Sequence, residues 1–256
     1  MSEARHSGVA PGAVLLPDEP IDPVRVTALR LWAPPSEPLA RIFPRVRELT
    51  GLQRLMVGPV AGRAAVAGIS AESVPPSVTT LGVFTGGSAT TWPPGVMLPL
   101  VTGLRADGPL MLTRDALPNV RAVVIKPARN SQNLDEIVAV PSLRELHLIT
   151  VPAGVFERIG HLPLTGLGLL GGGLTTLDGI EALDGLTSLR LHNLRSLRFL
   201  AALAGSGVET LQIRYCDAVT DFGTLAELPR LRHLQLVGCG TPDLSEVSDG
   251  VQVTVH

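Results

Sequence analysis

Gly166-Leu167-Gly168-Leu169-Leu170-Gly171 spells GxGxxG, and Glu181 and Asp184 follow at a distance where a dinucleotide-binding unit carries its ribose-binding acid. Glycines at that spacing let the turn between a strand and a helix come close to a pyrophosphate, so the chemistry in question is nucleotide binding. The fingerprint needs its glycines in the turn. Here Leu167 and Leu169 belong to an apolar alternation, which puts Gly166 and Gly168 inside a strand and argues against a nucleotide site. What the two glycines do imply is a sheet face left bare at that point, open to the approach of another backbone.

Other reactive types are scattered. The histidines are His6, His147, His161, His192, His233 and His256, and no CxxC, HxxxH or HExxH spacing joins them to a second metal ligand. No serine or cysteine lies in a GxSxG elbow, and Lys126 lies in no GxxxxGK[ST] loop. Asp178, Glu181 and Asp184 fall in polar turns where solvation is the ordinary fate of a carboxylate. The expectation is a protein with no catalytic residues, no metal and no cofactor. A different set does gather: Arg190, His192, Gln212, Arg214, Tyr215, His233 and Gln235 recur two residues apart in segments separated by one repeat length. Trp32, Met56 and Phe84 form a second, apolar set near the N-terminus. Arg, Tyr and Trp are enriched at the energetic centres of protein interfaces, so both sets are candidate partner-binding surfaces.

The elements that position them follow from a spacing. A pattern of apolar residues at the first, fourth and sixth positions returns about every 22 residues, as in Leu143/Leu146/Leu148, Leu164/Leu167/Leu169, Leu186/Leu189/Leu191, Val208/Leu211/Ile213 and Leu231/Leu234/Leu236. Weaker copies precede it at Val26/Leu29/Leu31, Leu52/Leu55/Val57, Val78/Leu81/Val83, Val101/Leu104/Ala106 and Val120/Val123/Ile125, and Val251-Gln252-Val253-Thr254-Val255 supplies a last alternating strand. Strand side chains alternate, so the fourth and sixth positions turn inward while the third, fifth and seventh face solvent. Both candidate sets occupy those solvent positions, Tyr215 at the border of the first. PLARIFPRVREL (38–49) and AGRAAVAGISAE (61–72) leave room for short outer helices, whereas TTLDGIEALDGL (175–186) repeats its apolar residues every third position, the period of a 3₁₀ turn.

This arrangement resembles the leucine-rich repeat family, and the run from LTSLRLHNL through VETLQIRYCDAVTDFGTLAELPRLRHLQLVGCGTPDL is similar to the short repeats of internalin-like bacterial proteins. The resemblance covers residues 24 to 256. It implies an α/β leucine-rich repeat solenoid: a curved parallel β-sheet of about 10–11 rungs, an outer face of 3₁₀ turns and short helices, and a concave face that binds another protein. A glycan or an anionic group at Arg190, Arg214 and His233 is the alternative ligand. The family places Asn or Cys at the ninth position, and here only Cys216 and Cys239 fit; Ala128, Val151, Gly172 and Leu194 depart from it. Stacked one rung apart, the two cysteines come within reach of a disulfide, though a cytoplasmic chain keeps them as buried thiols.

Composition limits the partners. Hydrophobic residues make up 45% and aromatics 3%, so aliphatic side chains fill the core, and charged residues reach only 17% against a usual 25% or so. Net charge is −2, which gives no reason to expect nucleic acid or an anionic membrane. Lys126 stands alone beside twenty arginines, a bias that suits a GC-rich bacterial genome. The run GAVLLP is too short for a signal-peptide core, and no stretch approaches the roughly 20 apolar residues of a membrane span. The reading is therefore a cytoplasmic protein with a flexible tail over residues 1–22 and one repeat domain over 23–256. Val251, Val253 and Val255 should face the core, while the outer edge of their strand offers a template for a homodimer.

Overall fold

The computed structural model describes residues 22–31, 46–58, 66 and 68–256. The chain divides between Ala128 and Arg129 into two compact units. In the first, β1 (Ala28–Leu31), β2 (Arg54–Val57), β3 (Thr80–Val83), β5 (Gly103–Ala106) and β7 (Ala122–Ile125) pair in that order, all parallel. A separate parallel pair, β4 (Thr90–Thr91) and β6 (Leu110–Met111), lies in the connections. The second unit contains α1 (Gln132–Val138), β8 (Glu145–Val151), α2 (Val155–Ile159) and β9 (Gly166–Gly172), followed by β10 (Ser188–His192), β11 (Thr210–Arg214), β12 (His233–Val237) and β13 (Gln252–Val255). Strands β8 to β13 again pair parallel in sequence order. Each unit is thus a run of parallel strands at the leucine-rich repeat spacing, and every repeat copy read from the sequence has its strand in the expected place.

Register follows directly from the repeat. Leu146, Leu167, Leu189, Leu211, Leu234 and Val253 form one column, and Leu148, Leu169, Leu191, Ile213, Leu236 and Val255 another. A slip of one residue would turn both columns into water. Burying each such side chain contributes about 1.5–3 kcal/mol, and the columns are buried from Leu146 through Leu236. The backbone repeats too: at rung after rung up to β12, the second residue offers one carbonyl to two N–H groups of the next. Gln53 and Arg54 donate to Thr27 O, Thr187 and Ser188 to Thr165 O, and Arg232 and His233 to Glu209 O. Parallel pairing is thus set before each strand begins.

The outer connections divide by type. In the second unit α1 buries Asn133, Leu134 and Ile137, and α2 buries Val155, Phe156 and Ile159; an Arg158–Asp135 ion pair links them. Further along, 3₁₀ turns at Ile180–Ala182, Ala201–Leu203 and Phe222–Glu227 replace helices, as the three-residue spacing anticipates. The helices expected over 38–49 and 61–72 fall largely outside the described residues. Outer carboxylates are structural: both Asp221 oxygens accept from Leu200 N (2.9 and 2.7 Å), and Asp107 accepts from Thr85 N (2.6 Å) and Gly86 N (3.1 Å). Each ties one rung to the loop of its predecessor.

One expectation needs correction at β13. Val253 and Val255 continue the two core columns, but they are 39% and 52% exposed, against 1% for Leu234 and Leu236 beside them. Alternation assigns a residue to a column; burial also needs a neighbour on each side, and among the described residues the strand pairing Val253 and Val255 is β12 alone.

Candidate functional site

The outward positions of β10 to β13 can be read from the register. Ser188, Thr210, His233 and Gln252 make the first column, Arg190, Gln212, Gln235 and Thr254 the second, and His192, Arg214 and Val237 the third. None is acidic. Arg190 and Arg214 are exposed, and among the described residues neither side chain has an ion pair or a hydrogen bond. His233 Nδ1 lies 3.1 Å from Gln252 Oε1. A shallow depression of about 230 Å³ opens between the outer strands, lined by Thr210, Gln212, His233, Gln235, Gln252 and Thr254. The structure thus brings Arg190, His192, Gln212, Arg214, His233 and Gln235 onto one sheet face, as the repeat requires.

Tyr215 is at the rim of this face and is held there against its own preference. Its φ is 55°, in the left-handed region, and the equivalent residues of four other rungs share it: Thr150 (63°), Gly171 (64°), Asn193 (54°) and Gly238 (61°). Glycine and asparagine enter that region cheaply, whereas a bulky residue pays about 1–2 kcal/mol. The ladder imposes the conformation, since Asn193 N donates to Arg214 O (2.8 Å), Tyr215 N to Val237 O (2.7 Å) and Gly238 N to His256 O (3.0 Å). The residue remains 49% exposed. Its centroid is 5.5 Å from that of His192, and on its other side a Cβ at Gly238 would stand 2.8 Å from Tyr215 Cδ1. A half-exposed aromatic side chain therefore adjoins Arg214, with the His192 ring against it.

The N-terminal set is arranged differently. Trp32 lies outside the described residues. Met56 and Phe84 are half-buried by one another: Met56 Sδ takes the space a Cβ on Gly82 would need, with Phe84 Cε2 2.9 Å from that point. Arg30 Cζ stands 5.9 Å from the Phe84 ring centroid, a cation–π contact of about 0.5–1 kcal/mol. These apolar groups cover themselves and leave less free surface than a row of outward hydrophobes suggests.

The glycines of GxGxxG lie inside β9, which removes the phosphate-binding turn. They do not leave the sheet bare. A Cβ on Gly168 would overlap the His147 ring, with Cγ and Cε1 both at 2.9 Å, and one on Gly166 would meet Glu145 Cγ at 3.2 Å. Both glycines are buried under side chains of the preceding rung. Large residues seated over a glycine of the next rung recur at Met56/Gly82, His147/Gly168 and Tyr215/Gly238. Sequence reading missed this pairing, although its signal was present: a large outward residue followed one repeat later by glycine.

Cys216 and Cys239 are free thiols buried in the loop ladder. Cys239 Sγ donates to Ile213 O (3.3 Å) and Cys216 Sγ to Arg214 O (3.4 Å), the role the ninth position has in this fold. Burial pushes the Cys216 thiol up to about 11, against backbone hydrogen bonds of Leu194 and Arg214 that work the other way, so it is a poor nucleophile. Among the described residues no group of three or more His, Cys, Asp or Glu side chains could hold a metal ion, and no helix is long and apolar enough to cross a membrane. A hollow of about 570 Å³ between the last outer loops is lined by Phe222, Cys239, Asp243 and Glu246 among others. The loop over 240–250 is short of apolar residues at three-residue spacing, which leaves that hollow unfilled.

No protein-family model and no curated protein matches the chain. Among solved structures it is similar to internalin C2 from Listeria monocytogenes, at 19% identity over 76% of this chain and 91% of that one, with a TM-score of 0.49. It is also similar to the leucine-rich repeat domain of the type III effector XopL, at 18% identity over 82% and 71% of the two chains, with a TM-score of 0.41. The assignment of the fold rests on the chain's own strand register and repeat spacing.

Proposed function

We propose that this chain is a non-catalytic recognition module of a bacterial cytoplasm that holds another protein against the outward face of β10 to β12, the concave face of the repeat. Arg190, His192, Gln212, Arg214, Tyr215, His233 and Gln235 make the contact, with Met56, Phe84 and Trp32 as a secondary surface. One observation carries the reading: two unpaired guanidiniums and a strained, half-exposed tyrosine are displayed on a face whose backbone is bonded at every rung. A second reading keeps the same residues and changes the ligand, since the amide- and hydroxyl-lined depression beside Arg214 and His233 also suits a glycan or small anion. Affinity capture from the native lysate separates them. A stoichiometric protein lost on reversing charge at Arg190 and Arg214 supports the first; binding on a sugar panel with no protein captured supports the second.

The outer edge of β13 is proposed as the site of a homodimer. Gln252 and His256 donate their N–H groups to β12, so alternation turns the N–H groups of Val253 and Val255 to the opposite edge. Their exposed side chains add apolar surface there.

A further inference from the structure

We infer that the β10–β12 face receives an extended, carboxylate-bearing segment of its partner, with two acidic side chains, two residues apart, seated on Arg190 and Arg214. This rests on the protein-binding reading above and gives it a ligand chemistry. The local charge is the first argument. Across the outward positions of β10 to β13 there are two arginines, two histidines, three glutamines and no acid, in a chain whose net charge is −2. The positive character therefore belongs to this face and is uncompensated within it.

Geometry is the second. Arg190 and Arg214 are diagonal neighbours: adjacent strands lie about 4.8 Å apart and same-face residues about 6.7 Å apart along a strand, so their α carbons are separated by about 8 Å. Same-face side chains of an extended peptide recur every 6.7 Å or so, a spacing that two flexible arginine arms can meet. Gln212 is opposite Arg190 in register and two residues before Arg214 on its own strand. Its amide carries both a donor and an acceptor, the pair needed by the peptide unit between the two carboxylates. Tyr215 and His192 then flank the next position with aromatic surface. A nucleic acid fits poorly, because its affinity grows with the number of phosphates neutralised by Lys and Arg and this face has two arginines.

The probe is a short capped peptide of alternating Glu and Thr, compared with its Gln–Thr isostere by fluorescence anisotropy and by hydrogen exchange on the full chain. The Glu peptide should bind roughly tenfold or more tightly than the isostere and protect β10 to β12. The preference should vanish in Arg190→Gln/Arg214→Gln and be partly kept in Arg190→Lys/Arg214→Lys, with all three proteins melting alike. Equal binding of both peptides with protection on β10 to β12 overturns the acidic chemistry while sparing the binding face. Protection elsewhere overturns both. Binding of neither peptide, or capture of a sulfated oligosaccharide in place of the Glu peptide, also overturns the proposal.

Discussion

His147 lies across Gly168 of the next rung, so closely that a β-carbon on the glycine would overlap the imidazole ring. The glycine is a seat, and its lack of a side chain lets the larger neighbour lie flat on the sheet. Gly168→Ala should therefore force His147 off the face and destabilise the fold by about 1 kcal/mol, within the range for overpacking. His147→Ala in the same chain should recover most of that loss, and a double-mutant cycle in urea reads the coupling. Additive single effects would mean that His147 swings away freely and the seat is unimportant.

Leu189 and Leu211 are fully buried and opposite one another in register. Truncation of either to alanine should cost about 2–5 kcal/mol. Each rung is stabilised mainly by its neighbours, so hydrogen exchange should speed up first in β9 to β12 and only later farther along the second unit. Uniform loss of protection through that unit would contradict nearest-neighbour behaviour.

The contrast between those leucines and His147 shows where a sequence is readable. Leu189 and Leu211 were identifiable because a repeat spacing assigns every rung the same inward positions, even at Ala106 where the side chain is small. The seating of His147 on Gly168 depends on which side chains meet across rungs, and a pattern along one strand cannot show it. Tyr215 was legible as a border residue, but its left-handed backbone comes from the ladder bonds of Asn193, Tyr215 and Gly238. Val253 and Val255 were assigned to the right columns and given the wrong environment, since burial needs a neighbour that a strand's own sequence does not supply. The helices α1 and α2 went unread because their apolar residues span too few turns to establish a 3.6-residue period. The candidate face was legible as a list of outward residues; its lack of counter-charge emerged only when the columns were set side by side.

Cys216 gives a pH signature. An unfolded thiol loses its proton near 9.0, whereas burial holds the folded one on until about 11. Between those values the unfolded chain binds fewer protons than the folded one, so this contribution to stability is complete below pH 9 and declines as pH rises toward 11. Urea melts at stepped pH should show the wild type losing stability across that window more steeply than Cys216→Ala. Alkylation at pH 8 should be slow in the folded protein and fast once it is unfolded. Parallel pH slopes for the two proteins would refute the assignment.

The edge of β13 decides the question of self-association. Val253 and Val255 turn their N–H groups away from β12 and expose apolar side chains beside them, whereas Gln252, Thr254 and His256 offer polar groups that would blunt the same edge. If two copies pair there, sedimentation of the wild type should show a concentration-dependent dimer. Val253→Pro removes a donor from the outer edge and leaves the Gln252 and His256 bonds to β12 in place, so it should shift the equilibrium to monomer with little change in the melt. Val255→Lys should act in the same direction by setting a charge at the apolar contact in each copy. A wild type that stays monomeric at every concentration rules out self-pairing. A dimer that survives both substitutions places its interface elsewhere on the molecule and leaves β13 as a solvent-facing rung.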